Sequence, residues 1–257
     1  MTMLARTPPD AMPAAPRAHV RDRLVVEGLS VSYRGVPALV DVTWTAPATG
    51  LTAIVGPNGA GKSTLIKAIL GLVPSTGRVT VGGRPFDEAR DVTAYVPQRA
   101  SVDWDFPATA LDVVLQGMVR ETGWFRAYGK ARRDRALSLL DRVGLADLSG
   151  RQIGQMSGGQ QQRVFLARGL ARDARILFLD EPLAGVDAAS ERIILDVFDA
   201  LERDGRLVIC VHHDLGTVAE RFRDVLVLNK KVIAAGPTGE AFTPQVLARA
   251  YGVPLAV

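Results

Sequence analysis

One run of nine residues combines three glycines with a lysine and two hydroxyls, and it reads Gly56-Pro57-Asn58-Gly59-Ala60-Gly61-Lys62-Ser63-Thr64. It follows the apolar segment 51–55, which is typical of a buried strand, and it precedes apolar residues at helical spacing. Glycines allow consecutive backbone N–H groups to turn toward an anion, and a helix N-terminus adds partial positive charge. Lys62 can reach the β- and γ-phosphates of a nucleoside triphosphate, and the Ser63 hydroxyl can ligate Mg²⁺. The run therefore predicts a phosphate-binding loop between a strand and a helix.

Two carboxylates follow a second apolar segment, Ile176–Leu179. Four consecutive apolar residues predict a central parallel strand that is buried on both faces. At the end of such a strand, Asp180 can hold Mg²⁺ through its water shell, and Glu181 can orient and deprotonate an attacking water. The alternative interpretation is a pair of solvated loop acids, which we disfavour beside a phosphate-binding loop.

Two further segments carry groups that a phosphate could contact. A helix is predicted to begin at Ser157-Gly158-Gly159-Gln160, where the serine can cap the helix and the glycines expose backbone N–H groups. The apolar strand 207–211 ends at His212-His213-Asp214, and one histidine there could sense a γ-phosphate by hydrogen bonding. Either segment alone is a weak signal.

Tyr33 has two interpretations that spacing alone does not separate. It lies in an alternating segment before the phosphate-binding loop. Its ring could cover the core as an ordinary strand aromatic, or it could stack on the base of a bound nucleotide.

The pattern of strands and helices predicts an α/β protein. Alternating residues from Leu24 to Thr45, interrupted at 34–37, predict antiparallel strands with a turn. A short strand at Val92–Val96 leads to Gln98, and residues 99–156 carry helical patterns without a strand signal. We interpret 99–156 as a helical insert in a single domain covering 22–257, after a flexible tail at 1–21. A hairpin at Val225–Ala235 and a short helix around 245–251 complete the chain.

Composition excludes several classes of protein. The 257 residues are 47% apolar, which excludes wholesale disorder, and no apolar run approaches the ~20 residues of a membrane span. The first 20 residues lack the apolar segment of a secretory signal. Cys210 lies in an apolar run and is expected to be an inert core residue, and three histidines with one cysteine give little support to a transition-metal site.

A basic and aromatic cluster lies in the insert. A solvated helix face is the favoured interpretation, contact with anionic lipid or a membrane partner is a sharper one, and nucleic acid is weaker because Glu121 and Asp134 interrupt the cluster. Its members are Arg120, Trp124, Phe125, Arg126, Tyr128, Lys130, Arg132, Arg133 and Arg135.

Taken together, the motifs resemble those of the ATP-binding cassette (ABC) ATPases over residues 24 to about 251. The motifs that carry the resemblance are Tyr33, Gly56–Thr64, Gln98, Ser157–Gln160, Asp180-Glu181, Asp187 and His213. The resemblance implies a P-loop NTPase core with an N-terminal antiparallel β subdomain and a helical insert, using ATP and Mg²⁺.

The same resemblance implies a role for each motif. Tyr33 stacks on adenine; Lys62, Ser63 and Thr64 hold phosphates and Mg²⁺. Gln98 touches the metal and the attacking water and couples the site to the insert. Glu181 is the general base, His213 is the γ-phosphate switch, and Asp187 belongs to the nucleotide-binding set. Residues 157–160 complete the site of a second copy, in a head-to-tail dimer.

A narrower resemblance concerns the class of transporter. Four segments are similar to ATPases of bacterial manganese, zinc and iron importers, namely 101–107, Gln152-Ile153-Gly154, 181–187 and 211–215. This resemblance implies an ATPase at the cytoplasmic face of the plasma membrane, partnered by a polytopic permease, indirectly by an extracellular solute-binding protein, and not by nucleic acid. Alternatives are an importer of another substrate such as an iron-siderophore, a soluble ABC ATPase of DNA repair or ribosome work, and a regulatory module that does not hydrolyse ATP.

Overall fold

The computed structural model describes residues 23–99, 106–119 and 129–252. The predicted tail at 1–21, residues 101–105 of the importer-like segment and residues 120–128 of the basic cluster lie outside the described residues. The sheet arrangement and the helices confirm the predicted α/β class, while the limits assigned to the domain and to the helical insert stay predictions.

A four-stranded antiparallel sheet forms the N-terminal part, in the order β2-β1-β4-β5. Its strands are β1 Leu24–Tyr33, β2 Val36–Thr45, β4 Thr76–Val81 and β5 Arg84–Pro85. The turn between β1 and β2 is made by Arg34 and Gly35, which both have positive φ, at 50° and 81°. This two-residue turn is typical of a tight hairpin and agrees with the predicted interruption at 34–37.

A six-stranded sheet forms the centre, in the order β10-β9-β3-β8-β7-β6. Its strands are β3 Gly50–Val55, β6 Thr93–Val96, β7 Ile176–Asp180, β8 Leu207–Val211, β9 Asp224–Asn229 and β10 Lys231–Pro237. All neighbouring pairs are parallel except the β9–β10 hairpin. Since parallel strands end at one edge, the segments that follow β3, β6, β7 and β8 meet there. The strand predicted from Val92 begins at Thr93, because Phe86–Val92 forms a 3-10 helix.

The parallel strands are buried on both faces, and each face serves a different core. In β8, Val208 and Cys210 pack with the helices of the larger core cluster. Ile209 and Val211 belong to a second cluster, which lies between the two sheets and around the first helix. Two-sided burial explains why these strands are uninterrupted apolar runs, and Cys210 is a buried core residue as predicted.

The helices cover both faces of the central sheet. They are α1 Lys62–Ile69, α2 Ala110–Gln116, α3 Lys130–Arg142, α4 Gly158–Leu170, α5 Ala188–Arg203, α6 Leu215–Arg221, α7 Thr238–Ala241 and α8 Pro244–Tyr251. Helices α2, α3 and α4 contact one another. Across the described ranges, no helix is long and apolar enough to cross a bilayer.

Candidate nucleotide site

The loop between β3 and α1 requires glycine at two of its positions. Gly56 has φ 152°, and a Cβ added there would lie 2.0 Å from the carbonyl oxygen of Leu228 on β9. Gly61 has φ 93° and would meet Leu39 and the Ala38 carbonyl at less than 3 Å. Gly61 is also the N-cap of α1, and it makes no side-chain capping bond. The loop backbone therefore lies closely against β2 and β9, and α1 begins without a side-chain cap.

Lys62 folds back over this loop. Its Nζ donates to the Gly56 carbonyl at 2.8 Å and to the Pro57 carbonyl at 3.0 Å, and the residue is buried. Burial lowers the pKa of Lys62, while Glu181 and Asp180 oppose that shift. The amine therefore lies near two carboxylates at the mouth of a loop that is suited to phosphate.

Asp180, the last residue of β7, lies against the start of α1. Its Oδ1 accepts a hydrogen bond from the Ser63 Oγ at 2.7 Å. Burial raises the pKa of Asp180, and the Ser63 hydrogen bond acts in the opposite direction. The Tyr95 hydroxyl also hydrogen-bonds to Asp180, and burial together with this carboxylate raises the pKa of Tyr95 to about 12. Hydroxyl and carboxylate oxygens are ligands that Mg²⁺ prefers. The Ser63 and Asp180 oxygens lie 2.7 Å apart, so these two residues fit the predicted metal site.

Glu181 lies one residue beyond β7 in an unusual backbone conformation. Its φ is 51°, a left-handed value that costs a residue with a Cβ about 1–2 kcal/mol. Its Oε2 accepts a hydrogen bond from the Gln98 Nε2 at 2.8 Å, across 83 residues of sequence. Strain at a polar residue beside a phosphate-binding loop is a feature of functional sites. The structure therefore brings together Lys62, Ser63 and Asp180, and next to them Glu181 and Gln98.

The two histidines after β8 differ in their surroundings. His213 is exposed, as a residue that meets a ligand must be, and its role as phosphate switch stays a prediction. His212 is buried, and its Nδ1 accepts a hydrogen bond from the Asp214 backbone N–H at 3.0 Å. Its ring packs edge-on against Phe222, with centroids 5.6 Å apart. Burial, aided by His213, lowers the pKa of His212 to about 4.

The start of α4 forms a second group of predicted site residues. Ser157 is the N-cap in a reciprocal capping box with Gln160. Gly159 packs against the start of α5, where an added Cβ would lie 2.8 Å from the Asp187 Oδ2 and 2.4 Å from the Ser190 Oγ. Asp187 is the N-cap of α5 and accepts hydrogen bonds from the Ser190 N–H and Oγ, which lower its pKa. Only glycine at 159 permits this close approach of α4 to Asp187.

Tyr33 lies at the rim of the N-terminal sheet. Its residue surface is 45% exposed, and its cross-strand neighbour Val36 is 64% exposed. A ring with this exposure does not cover the core, so the first interpretation of Tyr33 is unsupported. Stacking on adenine stays a prediction that this position permits.

Three residues around the site escaped the sequence interpretation. Besides Tyr95, the Tyr251 hydroxyl oxygen accepts a hydrogen bond from the Gly56 backbone, and burial raises the pKa of Tyr251. Arg99 contacts the start of α4, where its Nε donates to the Gln161 Oε1 at 2.9 Å. These contacts join distant parts of the sequence. Local spacing gives no signal for Tyr251 or Arg99, whereas Tyr95 lies in the predicted strand, two residues before Pro97.

Comparisons with known proteins agree with this geometry. The model of the ABC transporter family matches residues 39–184. The zinc transport system ATP-binding protein TroB of Treponema pallidum is 51% identical over 88% of this chain and 86% of its own length. The manganese transport system ATP-binding protein MntB of Bacillus subtilis is 48% identical over 88% of this chain and 91% of its own.

Solved structures share the fold. A nucleotide-free ATP-binding cassette from an ABC transporter superposes with a TM-score of 0.74 at 24% identity, covering 88% of this chain and 97% of that chain. These matches confirm the resemblance stated from the motifs, including its likeness to manganese and zinc importers. The chain therefore belongs to the ABC transporter family and is one of its ATP-hydrolysing subunits.

Proposed function

We propose that this chain powers a membrane importer of a divalent transition metal. It acts as two copies bound to a polytopic permease at the cytoplasmic face of the membrane, and an extracellular solute-binding protein delivers the cargo. The observation that carries the ATP chemistry is the contact network joining Ser63 to Asp180 and Gln98 to Glu181 around the Lys62 loop. The named relatives, which serve zinc and manganese transport systems, support the choice of cargo.

The site residues divide the work of hydrolysis. The loop N–H groups and the Lys62 amine bind the phosphates of ATP, and Ser63 and Asp180 supply oxygen ligands for Mg²⁺. When bound, Mg²⁺ neutralises negative charge on the phosphate oxygens. Glu181 accepts a proton from the attacking water. Gln98 donates a hydrogen bond of 2.8 Å to the Glu181 carboxylate and so orients that carboxylate. The pKa of Lys62 is lowered by burial, but two neighbouring carboxylates favour the charged amine that phosphate binding needs.

A second copy is proposed to complete the site. Residues 157–160 start a helix whose positive end suits a phosphate, and in this chain they contact Arg99 and Asp187. In a head-to-tail dimer, the α4 start of one copy would cover the ATP held by the other. ATP would then stabilise the dimer, because it binds the closed form best.

Replacing Glu181 by Gln tests the catalytic assignment. The change keeps size and hydrogen bonding but removes the base, so turnover should fall by roughly 10²–10⁴, the usual range for general-base catalysis. ATP binding, measured by equilibrium dialysis, should be retained. Glu220→Gln is the control, because Glu220 is exposed on α6. Near-normal turnover in Glu181→Gln would contradict the assignment.

Metal uptake tests the cargo. In cells that lack this chain and any redundant importer, accumulation of manganese, zinc and iron is measured separately under metal limitation. We expect the uptake of at least one metal to fall and to return with the intact gene but not with Glu181→Gln. Unchanged accumulation of all three would refute metal import and favour another cargo, such as an iron-siderophore, or a non-transport ABC ATPase.

A further inference from the structure

The C-terminal helix α8 reaches the phosphate-binding loop through its last residue. The Tyr251 hydroxyl oxygen accepts a hydrogen bond from the backbone N–H of Gly56, the first residue of the loop. The Gly56 carbonyl oxygen in turn accepts from the Lys62 Nζ at 2.8 Å. The backbone of this one glycine therefore connects a tyrosine of α8 to the lysine that is proposed to bind phosphate.

The end of β9 encloses Gly56 from another side. A Cβ added to Gly56 would lie 2.0 Å from the carbonyl oxygen of Leu228, the last residue but one of β9. The next residue, Asn229, donates from its Nδ2 to the Ala250 carbonyl at 2.9 Å, and Ala250 immediately precedes Tyr251. The loop start, the strand end and the helix end thus form a closed ring of contacts.

Helix α8 is also fixed on the sheet by contacts that do not involve Tyr251. Leu247 and Ala250 are buried in the larger core cluster, and the helix contacts β9 and β10. At its other end, Thr243 is the N-cap and accepts a hydrogen bond from the Val246 N–H at 3.3 Å. Burial and capping therefore place the Tyr251 hydroxyl without help from the bond to Gly56.

The middle of the loop is held differently, by backbone groups of the turn between β9 and β10. The Lys230 N–H donates to the Ala60 carbonyl at 2.8 Å, and the Lys230 carbonyl accepts from the Val40 N–H of β2 at 2.8 Å. A side chain, Tyr251, bonds to the Gly56 N–H instead. A single substitution can remove this hydroxyl and leave the backbone contacts of Ala60 in place.

We propose that Tyr251 is a positioning residue for ATP binding, because it fixes the start of the phosphate-binding loop, and with it the Lys62 amine, before the nucleotide arrives. A loop that is already ordered loses less conformational freedom when its ligand binds, so the ordering increases affinity. The inference rests on the proposed function, since it requires that this loop binds ATP. It adds the C-terminal helix to the elements that determine ATP affinity.

Replacing Tyr251 by Phe in the full chain removes the hydroxyl and keeps the ring. We expect the Kd for ATP, measured by equilibrium dialysis, and the KM for ATP to rise by roughly 2- to 10-fold, the range for one hydrogen bond. The kcat at saturating ATP should stay within about twofold, because the hydroxyl contacts the loop backbone and not Glu181. Without nucleotide, amide hydrogen exchange in the segment 51–61 should become faster, because the Gly56 N–H has lost its acceptor.

Replacing Thr243 by Ala is the matched control on the same helix. It removes the N-cap at the end of α8 that is remote from Gly56, so it should lower stability in urea without changing the Kd for ATP or the exchange of 51–61. An equal rise of the Kd in both variants would show that only the stability of α8 matters and would overturn the inference. An unchanged Kd or an unchanged exchange rate in Tyr251→Phe would overturn it too, while leaving the ATP site as proposed. If the wild-type chain binds no ATP, the proposed function and this inference fail together.

Discussion

The chain contains two glycine-rich helix starts, and they are built differently. Helix α1 begins at Gly61, which has a left-handed backbone and makes no side-chain capping bond, with Lys62 folded over the loop. Helix α4 begins at Ser157, whose Oγ accepts from the Gln160 N–H while its own N–H donates to the Gln160 side chain. One start leaves its helix end to a ligand, and the other already satisfies two of its own N–H groups.

If both segments bind one ATP in the proposed dimer, the difference indicates how they divide that binding. An uncapped helix end with a buried lysine has both the dipoles and the charge for a phosphate. A capped helix end has fewer free N–H donors. It should therefore strengthen phosphate binding only after another surface has bound the phosphate. We therefore expect the α1 start to set ATP affinity and the α4 start to set the rate of turnover.

Replacing Lys62 by Ala is expected to have the largest effect. When ATP is bound, the amine is expected to make two charge-assisted hydrogen bonds to phosphate oxygens, each worth about 1.5–3 kcal/mol, so their loss should weaken ATP binding by roughly 10²–10⁴-fold. Isothermal calorimetry or dialysis with the single chain measures this. Lys231→Ala, an exposed position on β10, is the control. Unchanged ATP affinity in Lys62→Ala would contradict the expectation that the α1 start sets ATP affinity.

Low pH should destabilise the folded protein near α1 through His212. The backbone N–H of His212 donates to the Ile54 carbonyl on β3, the strand that precedes the phosphate-binding loop. Its pKa is lowered from 6.5 to about 4, so between these values the unfolded chain binds a proton that the folded chain excludes. Stability is therefore lost as pH falls through this window, by up to about 3 kcal/mol.

Urea unfolding at pH 7 and pH 4.5 measures the His212 contribution as the difference between the wild-type chain and His212→Leu. Asp180 has a raised pKa and contributes in the opposite direction in both chains, so it cancels from that difference. His213→Leu, at the exposed neighbour, should keep most of the wild-type dependence, because burial is the larger cause of the lowered pKa of His212 and His213 the smaller one. An equal loss of stability in His212→Leu would refute the role of His212.

Replacing Ser157 by Ala should have the smallest effect on binding but a selective effect on rate. ATP affinity of the single chain should stay within about twofold, and turnover should fall by roughly tenfold, the value of one hydrogen bond to a charged group. Loss of a cap also costs about 1 kcal/mol of stability. Thr109→Ala removes a matching capping box at the start of α2 and should cost similar stability without affecting turnover. Equal turnover losses in the two variants would show that Ser157 only caps its helix.

The sequence was sufficient where the determinants are local. A strand, a glycine loop and a helix follow one another in residues 51–69, and the acids after Ile176–Leu179 stand at the end of an apolar run, so both placements could be predicted. The start of β6 was less certain, because Val92 is as apolar as the strand it precedes. Val92 is instead the last residue of a 3-10 helix that follows β5 directly, and hydrophobic periodicity does not reveal such a helix.

The contacts that refine the site depend on tertiary structure. Arg99 and Gln161 are 62 residues apart, and no spacing rule connects them. Which of the two adjacent histidines is buried could not be decided either, because β8 ends at Val211 and the alternation of faces ends with it. The roles of Gln98, Asp187 and His213 came from the family resemblance, since single residues in loops carry no pattern of their own.

The left-handed backbone at Glu181 has a consequence for the history and the engineering of this protein. Glycine would relieve the strain at that position, and the gain would be about 1 kcal/mol. Any search for heat-resistant variants that does not also demand activity will therefore tend to discard the carboxylate at this position. On the proposed catalytic role of Glu181, selection for stability and selection for activity would therefore act in opposite directions on this one residue.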